Sequence, residues 1–130
     1  MRFEAGIVRW VNKTLNRTEA LRKATILELF VSTILDTPVD EGRLRGNWQI
    51  SSGSPKSGTL EVMDPTGATT VKKVEDFVRG LSPEKSAVFL TNNLPYAYRV
   101  EYDGWSHTKA PAGMVRKNFI RVSQNLKNNG

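Results

Sequence analysis

One histidine, His107, and no cysteine limit what this 130-residue chain can catalyse. Zinc sites and histidine-dependent nucleases need further imidazole or thiolate ligands that the sequence lacks. A Ser-His-Asp triad can be drawn with Ser106 or Ser86, but neither serine has the glycine-flanked turn that presents a nucleophile. Three acidic pairs remain: Asp40/Glu41, Glu61/Asp64 and Glu101/Asp103. Each could hold a hard cation, and Glu61/Asp64 with Lys72 comes nearest to a metal-dependent nuclease, yet such pairs arise often by chance. There is no Walker loop, dinucleotide turn or metalloprotease helix. Gly42-Arg43-Leu44-Arg45-Gly46 lacks the flanking strand and helix of a phosphate cradle. The expectation is a non-enzymatic chain with no metal and no cofactor.

The net charge of +6 is unevenly placed. Residues 1–23 carry six Lys/Arg against Glu4 and Glu19, and residues 104–130 carry five with no acid. Residues 24–103 hold eight bases and eleven acids. Basic ends around a slightly acidic centre suit nucleic acid, an acidic protein partner, or simply the solvated faces of terminal helices. A sequence-reading module would add a helix-turn-helix or stacking aromatics on a sheet, and neither pattern is visible. Contact with DNA would then be non-specific phosphate attraction. Arg116, Lys117 and Arg121 lead the candidates for a basic surface facing DNA or an acidic partner.

The elements that must position these groups follow from periodicity. Residues from about Phe3 to Asp36 read as one long helix, or two meeting near Asn16–Thr18. Leu21, Ala24, Leu27, Val31, Ile34 and Leu35 recur at helical spacing, and Ile26, Leu29 and Phe30 widen the stripe almost all round. Such a helix must be covered on more than one side, by its own sheet or by a neighbouring subunit. Thr37-Pro38 ends it. The spacing then predicts strands over Asn47–Ser51 and Thr59–Met63 joined as a hairpin, and a short helix capped by Thr70. A strand over Ser86–Thr91 follows, then a short helix over Tyr96–Tyr102. The last helix runs from about Gly113 to Leu126 with the stripe Val115, Phe119, Val122 and Leu126.

The expected fold is α+β in a single domain spanning 1–130. Its parts are an N-terminal helix (1–36), an antiparallel sheet with short helices and loops (37–111), and a C-terminal helix (112–127) packed on the sheet. No apolar run approaches the roughly 20 residues of a membrane span, and the N-terminus lacks the pattern of a signal peptide. An aqueous, cytoplasmic chain without membrane contact is expected.

Two segments combine residues in a way composition does not explain. Thr37-Pro38-Val39-Asp40-Glu41-Gly42-Arg43-Leu44-Arg45-Gly46-Asn47-Trp48 resembles the "TPVDTGRLRxSW" signature of tail-completion and minor tail proteins of long-tailed bacteriophages. It departs at Glu41, where Thr is usual, and at Gly46. Asn92–Gly104, with Pro95-Tyr96-Ala97 and Glu101, is similar to that family's "NxxPYAxxxExG" element, and Pro111–Arg116 to the opening of its last helix. Taken alone, the residues read as scaffold. Val39 and Leu44 anchor a turn, Asp40 pairs with Arg43, and Gly42 permits positive φ. Trp48 and Tyr96 pack in the core, and Glu101 holds the following loop through a backbone N–H.

The resemblance implies a structural virion protein at the head–tail junction, assembled in the host cytoplasm. It would close the tail tube and join it to the neck as a subunit of a homo-oligomeric ring, with a hexamer favoured. Partners would be the tail tube protein and head–tail connector proteins, with non-specific contact to passing DNA. Arg43, Arg45, Tyr96, Trp105 and His107 are the candidate interface residues. The alternative is a small basic DNA-binding module.

Overall fold

Helix α1, Arg17–Asp36, is the central element of the computed structural model, which describes residues 17–39, 41–82, 87–102 and 113–129. The expected first half of the N-terminal helix lies outside the described residues, as do Asp40, Trp105 and His107. Ala20, Ala24, Leu27, Val31 and Ile34 form the buried side of α1, while Lys23, Glu28 and Thr33 are buried on its other faces. Much of the nearly all-round apolar pattern finds its cover within the chain, while Leu35 stays exposed. The cover comes from two helices, α3 (Ala68–Arg79) and α5 (Val115–Asn129), which pack against α1.

Helix α1 is followed in the chain by a single helical turn, α2 (Arg43–Gly46). Gly42 ahead of it has φ 87°, and a Cβ there would sit 2.4 Å from the backbone nitrogen of Pro65, so only glycine fits. Strand β1 (Gln49–Ser52) pairs antiparallel with β2 (Val88–Thr91), with Ile50 opposite Leu90 and Ser51 opposite Phe89. This is an α+β arrangement with a two-stranded antiparallel sheet. Helix α4 (Ala97–Tyr102) follows β2. The core joins Leu27, Val31 and Ile34 of α1 to Leu44, Trp48, Val74, Val78, Leu94, Val100 and Met114.

Four expectations are corrected. Residues 59–63 form no strand and no hairpin with β1. The Gly53 N–H donates instead to the Ala87 carbonyl (2.9 Å), which carries β1 toward β2. The Asn47 side chain meanwhile occupies both backbone groups of Leu60: its Nδ2 donates to the Leu60 carbonyl (3.0 Å) and its Oδ1 accepts from the Leu60 N–H (2.7 Å). Residues 59–63 thus keep the inside–outside alternation of a strand without a ladder. Thr70 is not the cap of α3; Gly67 is the cap residue, and Thr70 lies inside the first turn. The helix at the C-terminal end packs on α1 rather than on the sheet. Its apolar stripe is also not uniformly buried, because Val122 is covered while Phe119 stands in the open.

Among the described residues, no helix is long and apolar enough to cross a membrane.

Candidate functional site

The two sequence segments singled out above meet in space. Asn92 Nδ2 donates to the Leu44 carbonyl (2.8 Å), tying the second segment to the first. Within the first, Trp48 is only 7% exposed, and its indole N–H donates to Thr37 Oγ1 (2.8 Å). The Thr37 hydroxyl in turn donates to the Thr33 carbonyl one turn back (2.7 Å), so the indole N–H has a satisfied, buried partner. Tyr96 is half-buried against the same core.

Arg45 is the staple of this hub. Its guanidinium donates to the carbonyls of Leu35 (2.8 Å), Thr37 (2.8 Å) and Pro65 (2.7 Å). The first two are carbonyls at the C-terminal end of α1 that lack helical partners, where a cation also meets the negative end of the helix dipole. Burial lowers the Arg45 pKa, and the charges of Asp64 and Asp36 work against that. Arg45 thus has an intramolecular role, and the donors turned toward the chain are not available to a partner. Arg43 is half-buried, with its Nε unpartnered among the described residues and its carbonyl accepting from Asn47 Nδ2 (2.8 Å).

Two buried carboxylates each close a helix N-terminus from a distance. Asp64 Oδ2 accepts from the Thr70 N–H (2.8 Å) and the Thr70 hydroxyl (2.6 Å) in the first turn of α3. Burial pushes the Asp64 carboxyl up, but the hydrogen bonds from Thr70, Thr69 and Gly67 outweigh it, and the pKa is lowered. Glu101 does the same for α5. Its Oε1 accepts from the N–H groups of Met114 (2.8 Å) and Val115 (2.6 Å), and its Oε2 from the Arg116 N–H (3.2 Å) and Nε (2.9 Å). Arg116 Nη2 also donates to the Glu101 carbonyl. Burial again opposes these bonds and loses, so the Glu101 pKa is lowered. Glu101 thus holds the start of α5; the loop it is expected to hold lies outside the described residues.

Each member of the expected basic surface has a carboxylate partner. Arg116 pairs with Glu101, Lys117 with Asp36 (3.5 Å), and Arg121 with Glu28 (2.5 Å). Arg121 reaches Ser32 as well (2.8 Å), Asn118 Nδ2 reaches Asp36 (2.9 Å), and Asn125 Nδ2 reaches Glu28 (3.2 Å). Glu28, Ser32 and Asp36, spaced four residues apart, thus form one polar seam along α1 that α5 reads. That spacing is visible in the sequence and was the available signal for it.

Beyond the seam, α4 and α5 present an exposed row that sequence reasoning did not assemble, although it named Arg116 as a basic-surface candidate and Phe119 in the apolar stripe. The Tyr98 and Tyr102 rings stand 4.7 Å apart, and the Arg116 guanidinium lies 4.8 Å over Tyr102. Phe119 and Ile120 are 58% and 57% exposed one turn further along α5. The i, i+4 spacing of the two tyrosines could have shown the first half of this row.

Among the described residues, no group of three or more His, Cys, Asp or Glu side chains could hold a metal. Comparison with family models, curated proteins and solved structures finds no match to this chain.

Proposed function

We propose that this chain is a structural subunit of a bacteriophage virion that closes the tail tube and joins it to the neck as part of a homo-oligomeric ring. One observation carries most of the weight. The two segments that resemble tail-completion proteins converge on one hub through the Asn92–Leu44 bond, and their polar residues serve the fold. Trp48, Arg45, Asn47 and Glu101 are all engaged in holding elements together. This is what fold-defining motifs of a scaffold protein should do, and it leaves those groups with no free chemistry for catalysis. The reading is therefore non-enzymatic.

A basic DNA-binding module is the weaker reading, because Arg116, Lys117 and Arg121 already have carboxylate partners. Phosphate affinity scales with the number of cations that release counterions, and paired cations contribute less. Co-sedimentation with tail tubes of the cognate phage separates the two. A structural subunit pellets with tubes and binds duplex DNA weakly. Tight DNA binding with a steep salt slope, and no tube binding, would favour the module.

A further inference from the structure

We propose that residues 54–59 form a strap that opens as a unit of its own, with the core still folded, and uncovers the outer face of the β1–β2 sheet. The device goes beyond the ring-subunit reading and does not depend on it.

The strand register places the strap. Gln49 stands opposite Thr91 and Ser51 opposite Phe89, and side chains directly opposite in a pair share one face of the sheet. Ile50 and Leu90 turn the other way and pack against the core. From the outer side, carboxamides hold the chain that runs back past β1. Asn47 bonds both backbone groups of Leu60, and Gln49 Nε2 donates to the Gly58 carbonyl (3.0 Å). Asn93, two residues after Thr91, donates through Nδ2 to the carbonyls of Lys56 (3.0 Å) and Gly58 (2.9 Å). Ser51 Oγ adds a bond to the Ser54 carbonyl (2.7 Å). Partners thus advance on β1 as they retreat on the strap, which runs antiparallel to β1 and is held by side chains instead of a ladder.

Both ends of the strap are fixed more firmly than its middle. The Gly53 N–H donates to the Ala87 carbonyl (2.9 Å), and Leu60 is gripped twice by the buried Asn47. Between them, Ser-Pro-Lys-Ser-Gly-Thr offers no large apolar side chain to bury, and every residue from 52 to 59 is exposed. A Cβ on Gly53 or Gly58 would meet no atom within 4 Å, so no packed neighbour grips the backbone there. Among the described residues, no backbone N–H of 54–59 donates a hydrogen bond to another backbone group. A segment with so little buried apolar contact opens at a lower free energy than the core. Opening gives up the bonds from Gln49, Asn93 and Ser51 and returns backbone freedom to the strap. The Thr91 hydroxyl, opposite Gln49, is buried with no hydrogen-bond partner, and opening would hydrate it. The strip uncovered carries the Gln49 and Asn93 carboxamides, that hydroxyl and the half-buried Phe89 ring.

Trypsin cleavage after Lys56 reads the opening, because a protease cleft takes an extended segment and cutting follows the population of the open form. The cut is followed by mass spectrometry in the full-length chain, in Gln49→Ala/Asn93→Ala, in Val74→Ala and in a synthetic peptide of residues 52–60. Circular dichroism with a thermal melt establishes that each variant folds, and Gln49→Ala alone replaces the double variant if that does not. Wild type should be cut at least about tenfold more slowly than the peptide, and the double variant about tenfold faster than wild type with its melt little changed. Val74→Ala leaves a cavity in the core, so its melt should fall while cutting after Lys56 stays within about twofold of wild type. Cutting that rises with Val74→Ala as global stability falls would mean that the whole chain must unfold, and would overturn the strap. So would a double variant cut no faster than wild type, or a wild type cut as fast as the peptide, which would leave no closed state to open.

Discussion

Asp64 and Glu101 solve the same local problem and leave behind different surfaces. Each is a buried carboxylate that accepts hydrogen bonds from the first turn of a helix, and each has its pKa lowered by those bonds against burial. Around Asp64 the nearby cation, Arg45, turns inward to three backbone carbonyls, so the hub closes on itself. Around Glu101 the cation, Arg116, stays half-exposed and stacks on Tyr102, next to a row of uncovered aromatic and aliphatic side chains. The same capping device thus serves the fold in one place and prepares an outward face in the other. What decides is where the paired cation finds its remaining acceptors.

The comparison breaks if the hub tolerates change. Gly42→Ala should have the largest effect, because it adds a Cβ at positive φ against fixed backbone. A loss of about 3–5 kcal/mol is expected from strain and overpacking together, read from urea unfolding. Glu101→Ala strands the N–H groups of Met114 and Val115 and should cost about 2–4 kcal/mol. Trp48→Phe keeps the ring but removes the bond to Thr37, for about 1 kcal/mol. Phe119→Ser on the open face should shift monomer stability by no more than about 0.5 kcal/mol. A ranking in which Phe119→Ser exceeds Trp48→Phe would mean that the two regions do not divide fold from surface as described.

Acid sharpens the comparison from another side. Both carboxyls have folded pKa values below their unfolded values, so their stabilisation is fully present above the unfolded values near pH 4. It is lost as pH falls through the folded values. Asp64→Asn and Glu101→Gln should each lower stability at neutral pH and flatten its decline below about pH 4. Melting temperatures across pH 2–7 give the readout, and a decline as steep as in wild type would remove that carboxylate from the account.

The sequence made the hub legible because its signals are local. Pro38 marks the end of α1, Gly42 answers to a positive φ, and Trp48 reads as core from its apolar bulk. The α+β class also followed from alternating patterns of apolar residues. Pairings at long range were not legible. Arg121 meets Glu28 across 93 residues, and nothing in either local pattern names the other. The strand pattern at 59–63 misled for a related reason: alternation reports which side chains face inward, but a side chain, Asn47, occupies the backbone groups a ladder would use. The apolar stripe with Val115, Phe119 and Val122 points to packing on the sheet, yet α5 docks on α1 beside its polar seam. Glu28 and Asp36 set that orientation, because carboxylates next to the α1–α5 contact need partners.

Light scattering of the purified chain, alone and with tail tubes, tests the central claim most directly. The account predicts association of the chain with itself and a discrete complex with tubes whose mass corresponds to a ring of subunits at a tube end. A chain that remains monomeric, leaves the tubes unaltered and instead binds DNA tightly would contradict it.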